Sequence, residues 1–234
     1  LIIQVCSRFV QVRDIYRLHI KCDKIINLNG INNIELVEGT NQWYWATDYC
    51  FGDLYEAEEL FNEGHEVECN RLVFVKYPEG EVIEPVLREK GQYFGTPVFD
   101  DGCMFILLAN FLEGKIYIKR YQVDKKEVDT MAELSRSDID DCYNLMLRVT
   151  PVFLSRDDNN GKYQILWPEK SEFAVEKGET VYRRENDFLV SNCLYEDPDY
   201  REEEFIRKYP TGEKIECIRG TFMDMPDGQR WLIQ

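Results

Sequence analysis

Lys76-Tyr77-Pro78-Glu79-Gly80-Glu81 and Lys208-Tyr209-Pro210-Thr211-Gly212-Glu213 agree at five of six positions. Leu72-Val73-Phe74-Val75 precedes the first copy and Val82-Ile83-Glu84-Pro85-Val86 follows it. Phe205-Ile206 and Ile215-Glu216-Cys217-Ile218 flank the second in the same way. An apolar run, a Pro/Gly turn and a second alternating run read as a β-hairpin. The two copies lie 132 residues apart, three times 44, and Tyr121 falls 44 residues after Tyr77 at the end of Lys115-Ile116-Tyr117-Ile118-Lys119-Arg120-Tyr121. Gln164-Ile165-Leu166-Trp167-Pro168-Glu169 is a weaker echo 46 residues further on.

A second phrase, strand then Asp/Gly turn then strand, alternates with the first. It runs from Gly95-Thr96-Pro97 through Asp100-Asp101-Gly102, from Val149-Thr150-Pro151 through Asp157 to Gly161, and from Gly220-Thr221 through Pro226-Asp227-Gly228. Its spacing is irregular, 54 residues and then 71, so the longer span is expected to hold a degenerate strand at Phe188-Leu189-Val190. A period of 44 to 46 residues is that of a four-stranded propeller blade, and 234 residues accommodate five such units. These phrases resemble β-propeller repeats in general, over residues 40 to 234. WD dipeptides, kelch double glycines and Asp-boxes are absent, so the resemblance implies a fold and no functional residues.

The expectation is one all-β, antiparallel domain over residues 1–234, a five-bladed propeller-like ring with short helical inserts. A meandering sheet or barrel of another kind is the alternative. Thr221 to Gln234 supplies only a hairpin of the last blade, and Tyr16 to Ile20 with Ile34 to Val37 are expected to supply its other strands. Sharing a blade between the termini would protect the edges of the ring. Helical spacing predicts inserts at 53–63, capped by Asp53 and stopped by Gly64, and at 137–146, capped by Ser137.

The formal net charge of −16 disfavours nucleic acid and anionic membrane surfaces, leaving a protein or a small neutral or cationic ligand, carbohydrate included, as the expected partner. The longest apolar stretch, Cys103 to Leu112, is too short to span a bilayer, and Leu1-Ile2-Ile3-Gln4-Val5 lacks the basic start of a secretory signal. The eight cysteines form no C-x-x-C pair, and are read as reduced structural thiols of a soluble, cytoplasmic protein, with Cys103 and Cys217 packed as small hydrophobes.

The sequence is poor in catalytic signals. It has two histidines, His19 and His65, and no G-x-S-x-G, phosphate loop or H-E-x-x-H, so no metal or cofactor is expected. Asp157-x-Asn159-x-Gly161 departs from a calcium loop because Pro168 stands where the bidentate Glu belongs. Asp100-Asp101-Gly102 reads as a turn, and Glu196 to Glu204 as a solvated acidic loop.

Trp43-Tyr44-Trp45, with Asp48, Tyr49 and Phe51, carries more information. On a strand Trp43 and Trp45 point together, and Tyr44 shares a face with Asp48. Aromatic faces beside a carboxylate bind sugars, peptides or cations, while the same aromatics also suit an inter-blade core. The expected ligand-binding residues are therefore Trp43, Tyr44, Trp45 and Asp48, in a non-enzymatic binding module. The alternative is a glycosidase-like enzyme that pairs Asp48 with a second acid.

Overall fold

The computed structural model describes residues 23–196, 200–225 and 227–234. Four antiparallel sheets follow one another along the chain. The first holds β1 (Glu35–Leu36), β2 (Trp43–Thr47), β3 (Leu72–Lys76) and β4 (Glu81–Ile83). The second begins with β5 (Gln92–Phe94) and β6 (Val98–Asp100), which both pair with β7 (Cys103–Asn110), and continues with β8 (Lys115–Gln122) and β9 (Glu127–Ser135). The third is β10 (Met146–Arg148), β11 (Phe153–Asp157), β12 (Lys162–Trp167) and β13 (Ser171–Ala174). The fourth is β14 (Glu179–Glu185), β15 (Phe188–Tyr195), β16 (Arg201–Lys208) and β17 (Lys214–Arg219). A hairpin, β18 (Thr221–Asp224) and β19 (Arg230–Ile233), follows.

The first strands of successive sheets meet one another. Glu38 bridges Val98 in parallel, the Phe99 N–H donates to the Glu38 carbonyl at 2.8 Å, and the Arg184 N–H donates to the Val149 carbonyl at 3.0 Å. The last strands β9 and β17 are mostly exposed. The first strands therefore line an axis and the last strands face outward, a propeller-like ring. Among the described residues it has four complete blades followed by the β18–β19 hairpin, so the expected five are not found among them. Ile34 to Val37 belongs to the first blade through β1, so it does not complete the last one; Tyr16 to Ile20 lies outside the described residues.

Both copies of the Tyr-Pro turn join the third and fourth strands of a blade. The Gly80 N–H donates to the Lys76 carbonyl at 2.7 Å, and the Gly212 N–H to the Lys208 carbonyl at 2.8 Å. Both glycines hold positive φ, +74° and +72°, which a side chain resists. The equivalent turn of the second blade closes with the Lys126 N–H on the Gln122 carbonyl. Gln122, not Arg120, thus aligns with Lys76, this turn's first residue, so the 44-residue register is two residues short there. The second phrase is irregular because it merges different positions: Gly95-Thr96-Pro97 interrupts an innermost strand, whereas Thr150-Pro151 is a turn between first and second strands. Phe188 to Tyr195 is a full strand.

The apolar stretch from Cys103 is β7, buried on both faces. Met104, Ile106 and Leu108 pack toward the first blade with Trp43, Trp45 and Phe74, while Phe105, Leu107 and Ala109 pack with Ile116, Leu147 and Leu154 toward the third. A strand sandwiched between blades must be apolar on both sides, hence the continuous run. Cys217 lies exposed on β17 instead of packed as a small hydrophobe. No helix among the described residues is long and apolar enough to cross a membrane.

The first insert is helical, α1 (Leu54–Asn62). Asp53 accepts the Glu56 N–H at 2.9 Å while the Glu56 carboxylate accepts the Asp53 N–H at 2.8 Å, a reciprocal capping box. The second expected helix shrinks to a 3₁₀ turn at Arg136–Asp138. Beyond it side chains take over the backbone donors: Glu58 accepts the Cys142 N–H at 2.5 Å and Asp141 accepts the Tyr143 N–H at 2.9 Å. Asn144 sits at φ +49°, and Ile139, Cys142 and Leu145 reach the core from this irregular segment. The Asp-rich sequence favours such local bonds over helix.

Candidate functional site

The upper rim of the ring, where the innermost strands begin, carries two adjoining clefts. The smaller, about 130 Å³, lies between the 47–55 segment, Thr96 and residues 142–146; the larger, about 230 Å³, lies between residues 30–35 and 45–49. Trp45, Thr47 and Tyr49 line both, so the end of β2 is their dividing wall. Alternation along β2 puts Trp45 and Thr47 on one side, and Tyr49 follows them in the turn beyond the strand.

Tyr49 is the most exposed ring of this wall, half exposed at φ +47°. A bulky residue in left-handed backbone is an outlier that surrounding structure must enforce. Tyr93, 1 % exposed, supplies that structure: its hydroxyl donates to the Gly52 carbonyl at 2.7 Å and accepts the Phe51 N–H at 3.2 Å. The Gly52 N–H closes the turn on the Tyr49 carbonyl at 3.1 Å. Opposite stand Tyr55, in the first turn of α1, and Tyr143, packed edge to face at 5.4 Å between ring centres. Phe94, Cys142 and Leu145 are buried in the lining.

The polar residues of the smaller cleft are largely committed. Asn70, 1 % exposed, donates to Thr47 Oγ1 at 3.1 Å and to the Phe94 carbonyl at 3.0 Å, and accepts the Phe94 N–H at 2.7 Å. It thereby ties the first blade to the second. Asn144 donates to Asp157 at 3.0 Å. Asp53 is the one carboxylate among the described residues lining this cleft, whereas Glu35 and Asp48 line the larger. Burial, then the Glu35 and Asp53 charges, push the Tyr49 hydroxyl above its ordinary pKa. The Tyr55 hydroxyl is raised by its hydrogen bond to Glu59 and by the charges of Glu59, Asp141 and Glu58. Both rings therefore sit in a negative field.

The residues singled out from sequence divide. Trp43 and Trp45 are buried among Phe74, Phe94 and Met104, the inter-blade core, with Trp45 also reaching both clefts. Tyr44 packs edge to face on Tyr77 at 6.5 Å, beside Ala46, Val73 and Val75. Asp48 is exposed in the larger cleft and accepts the Arg71 N–H at 3.0 Å. Asn70, Tyr93, Thr96, Tyr55 and Tyr143 escaped the sequence reading. Only Tyr49, beside the quoted aromatics, carried a local signal.

The lower rim is differently built. A groove of about 620 Å³ there is lined by Asp100, Asp101, Thr150, Arg183, Glu185 and Arg230 among others. Its charges neutralise one another: Arg183 pairs with Asp224 at 2.6 Å, and Arg230 with Glu185 at 2.6 Å and Asp224 at 2.9 Å. They clamp the β18–β19 hairpin to the fourth blade. Within the ring the Glu38 carboxyl is raised by burial, against the pull of Arg148 and Arg183.

No protein family and no curated protein sequence matches the chain. Among solved structures it is similar to a bifunctional GH43-CE protein of Bacteroides eggerthii, at 10% identity and a TM-score of 0.40, over 85% of this chain. The chain spans 30% of that protein's length. A likeness of that degree transfers neither residue nor activity.

Proposed function

We propose that the protein is a ligand-binding module that takes a small neutral or cationic organic molecule in the upper-rim clefts. The observation that carries this reading is the wall of Trp45, Thr47 and Tyr49 facing Tyr55 and Tyr143. Partly exposed aromatics over a buried floor, with a few fixed polar groups, are what small-molecule sites are made of. Their recruitment from segments far apart in sequence is what a propeller rim provides. The test is a ligand-detected NMR screen of organic ammonium compounds and neutral saccharides against the wild type and Tyr49→Ser. Hits that vanish in Tyr49→Ser support the reading, and hits indifferent to it overturn it.

A second reading draws on Glu35 and Asp48, two carboxylates lining one cleft. Glycoside hydrolysis uses a carboxyl pair about 5 to 9.5 Å apart. Turnover on a panel of aryl glycosides, lost in both Glu35→Gln and Asp48→Asn, would favour that reading over simple binding.

A further inference from the structure

The clefts also discriminate between the two ligand classes just named. Sugars are held by hydrogen bonds to their hydroxyls, and the two amides of the cleft that holds Tyr55 and Tyr143 are already engaged within the protein. Asn70 makes three hydrogen bonds within the protein and Asn144 donates to Asp157. What remains toward the openings is aromatic surface and negative charge, with the Thr96 hydroxyl in one cleft and the Asn32 and Asn33 amides in the other. Neither cleft is lined by a lysine or arginine among the described residues. Glu35, Asp48 and Asp53 lie along them, and none of the three is within ion-pair distance of a described Lys or Arg side chain. Arg71 stands behind Asp48, but its guanidinium is turned to Glu84 and to the Leu28 carbonyl. Asp53 is half engaged as a helix cap. Tyr49, kept in left-handed backbone by the Tyr93 hydroxyl, offers its ring at the boundary of both clefts, with Tyr55 and Tyr143 across from it.

From this geometry we infer that the ligand of the upper-rim site carries an organic ammonium group, seated against the rings of Tyr49, Tyr55 and Tyr143 beside Asp53, with Glu35 and Asp48 adding their attraction from the far side of the Tyr49 wall. The inference rests on the binding reading above and narrows it to one class. A cation on an aromatic face is attracted by the negative π-surface, more strongly as water is excluded. A carboxylate near by adds a longer-range attraction that salt screens within about 8 Å at physiological ionic strength. The negative field already felt at the Tyr49 and Tyr55 hydroxyls is consistent with this.

The test uses choline chloride as the probe and 3,3-dimethyl-1-butanol, its neutral isostere, as control, with affinities read by NMR titration of the full chain. Choline is expected to bind in the millimolar range and the isostere about tenfold more weakly, the difference that one desolvated cation–π contact supplies. Affinity for choline should fall several-fold in Tyr49→Leu and, separately, in Glu35→Gln, with circular dichroism unchanged, and should weaken with added salt. Equal binding of choline and the isostere, or no binding of choline, overturns the ammonium assignment. A neutral saccharide that binds in a Tyr49-dependent manner while choline does not also overturns it, yet leaves the cleft as the site. Choline binding untouched by both variants would overturn assignment and site together.

Discussion

The backbone of Tyr49 can be tested by comparing Tyr49→Gly with Tyr49→Ala. Both variants delete the half-exposed ring, so whatever its packing contributes cancels between them. At most positions Ala is the more stable of the two, because Gly gives up more freedom on folding, about 0.5–1 kcal/mol. At φ +47° the order reverses, since left-handed backbone costs a residue with a Cβ about 1–2 kcal/mol. The net difference is about 1 kcal/mol in favour of Gly. In a chain of this size that corresponds to a Tm about 2–4 °C higher for Tyr49→Gly, readable by scanning calorimetry. Choline titration should find both variants equally impaired. An alanine variant as stable as the glycine variant, or more so, would refute the left-handed placement and with it the wall between the clefts.

Tyr93→Phe removes the hydroxyl that holds Phe51 and Gly52, and should cost about 1 kcal/mol of stability while weakening choline binding several-fold, measured by denaturant titration and NMR. Asp53→Ala breaks the capping box of α1 and should cost about 1 kcal/mol by the same denaturant titration. Arg207→Met strands Glu179, 4 % exposed and bound by Arg207 through two contacts of 2.7 Å, and should cost about 3–5 kcal/mol in urea unfolding. Burial alone would raise the Glu179 carboxyl, but hydrogen bonds from Arg207, Ser191 and the Glu176 N–H outweigh it and hold it below its ordinary 4.5. A carboxyl depressed by folding stabilises fully above that value and loses its contribution as pH falls through the folded pKa. Urea midpoints should therefore drop on acidification below 4.5 more steeply in the wild type than in Glu179→Gln.

Much of the fold was legible because its signals are local. The Lys76–Glu81 and Lys208–Glu213 turns depend on a glycine with positive φ at a fixed offset, and such chemistry shows in a few residues. The α1 capping box is equally short-range. The segment 137–146 misled because buried apolar residues at helical spacing do not specify a helix when Glu58, 84 residues away, takes the Cys142 N–H. Blade count was illegible for a related reason: strand pairing at the last hairpin is a long-range property. The candidate site was legible only in part. Trp45, Tyr49 and Asp48 were visible as one aromatic-acid stretch, yet Trp43 and Tyr44 belong to packing faces that alternation alone cannot tell from a cleft. Tyr55, Asn70, Thr96 and Tyr143 come from separate segments, and only the ring brings them together.

The binding of a cation at the upper rim is tested most directly by the aromatic ¹H–¹³C spectrum of tyrosine-labelled protein titrated with choline. The rings of Tyr49, Tyr55 and Tyr143 should shift together along one saturable curve. Tyr77, exposed and packed on Tyr44 instead of lining either cleft, should stay in place. Shifts led by Tyr77 or Tyr200, or a saturating titration that leaves Tyr49, Tyr55 and Tyr143 unmoved, would contradict the account.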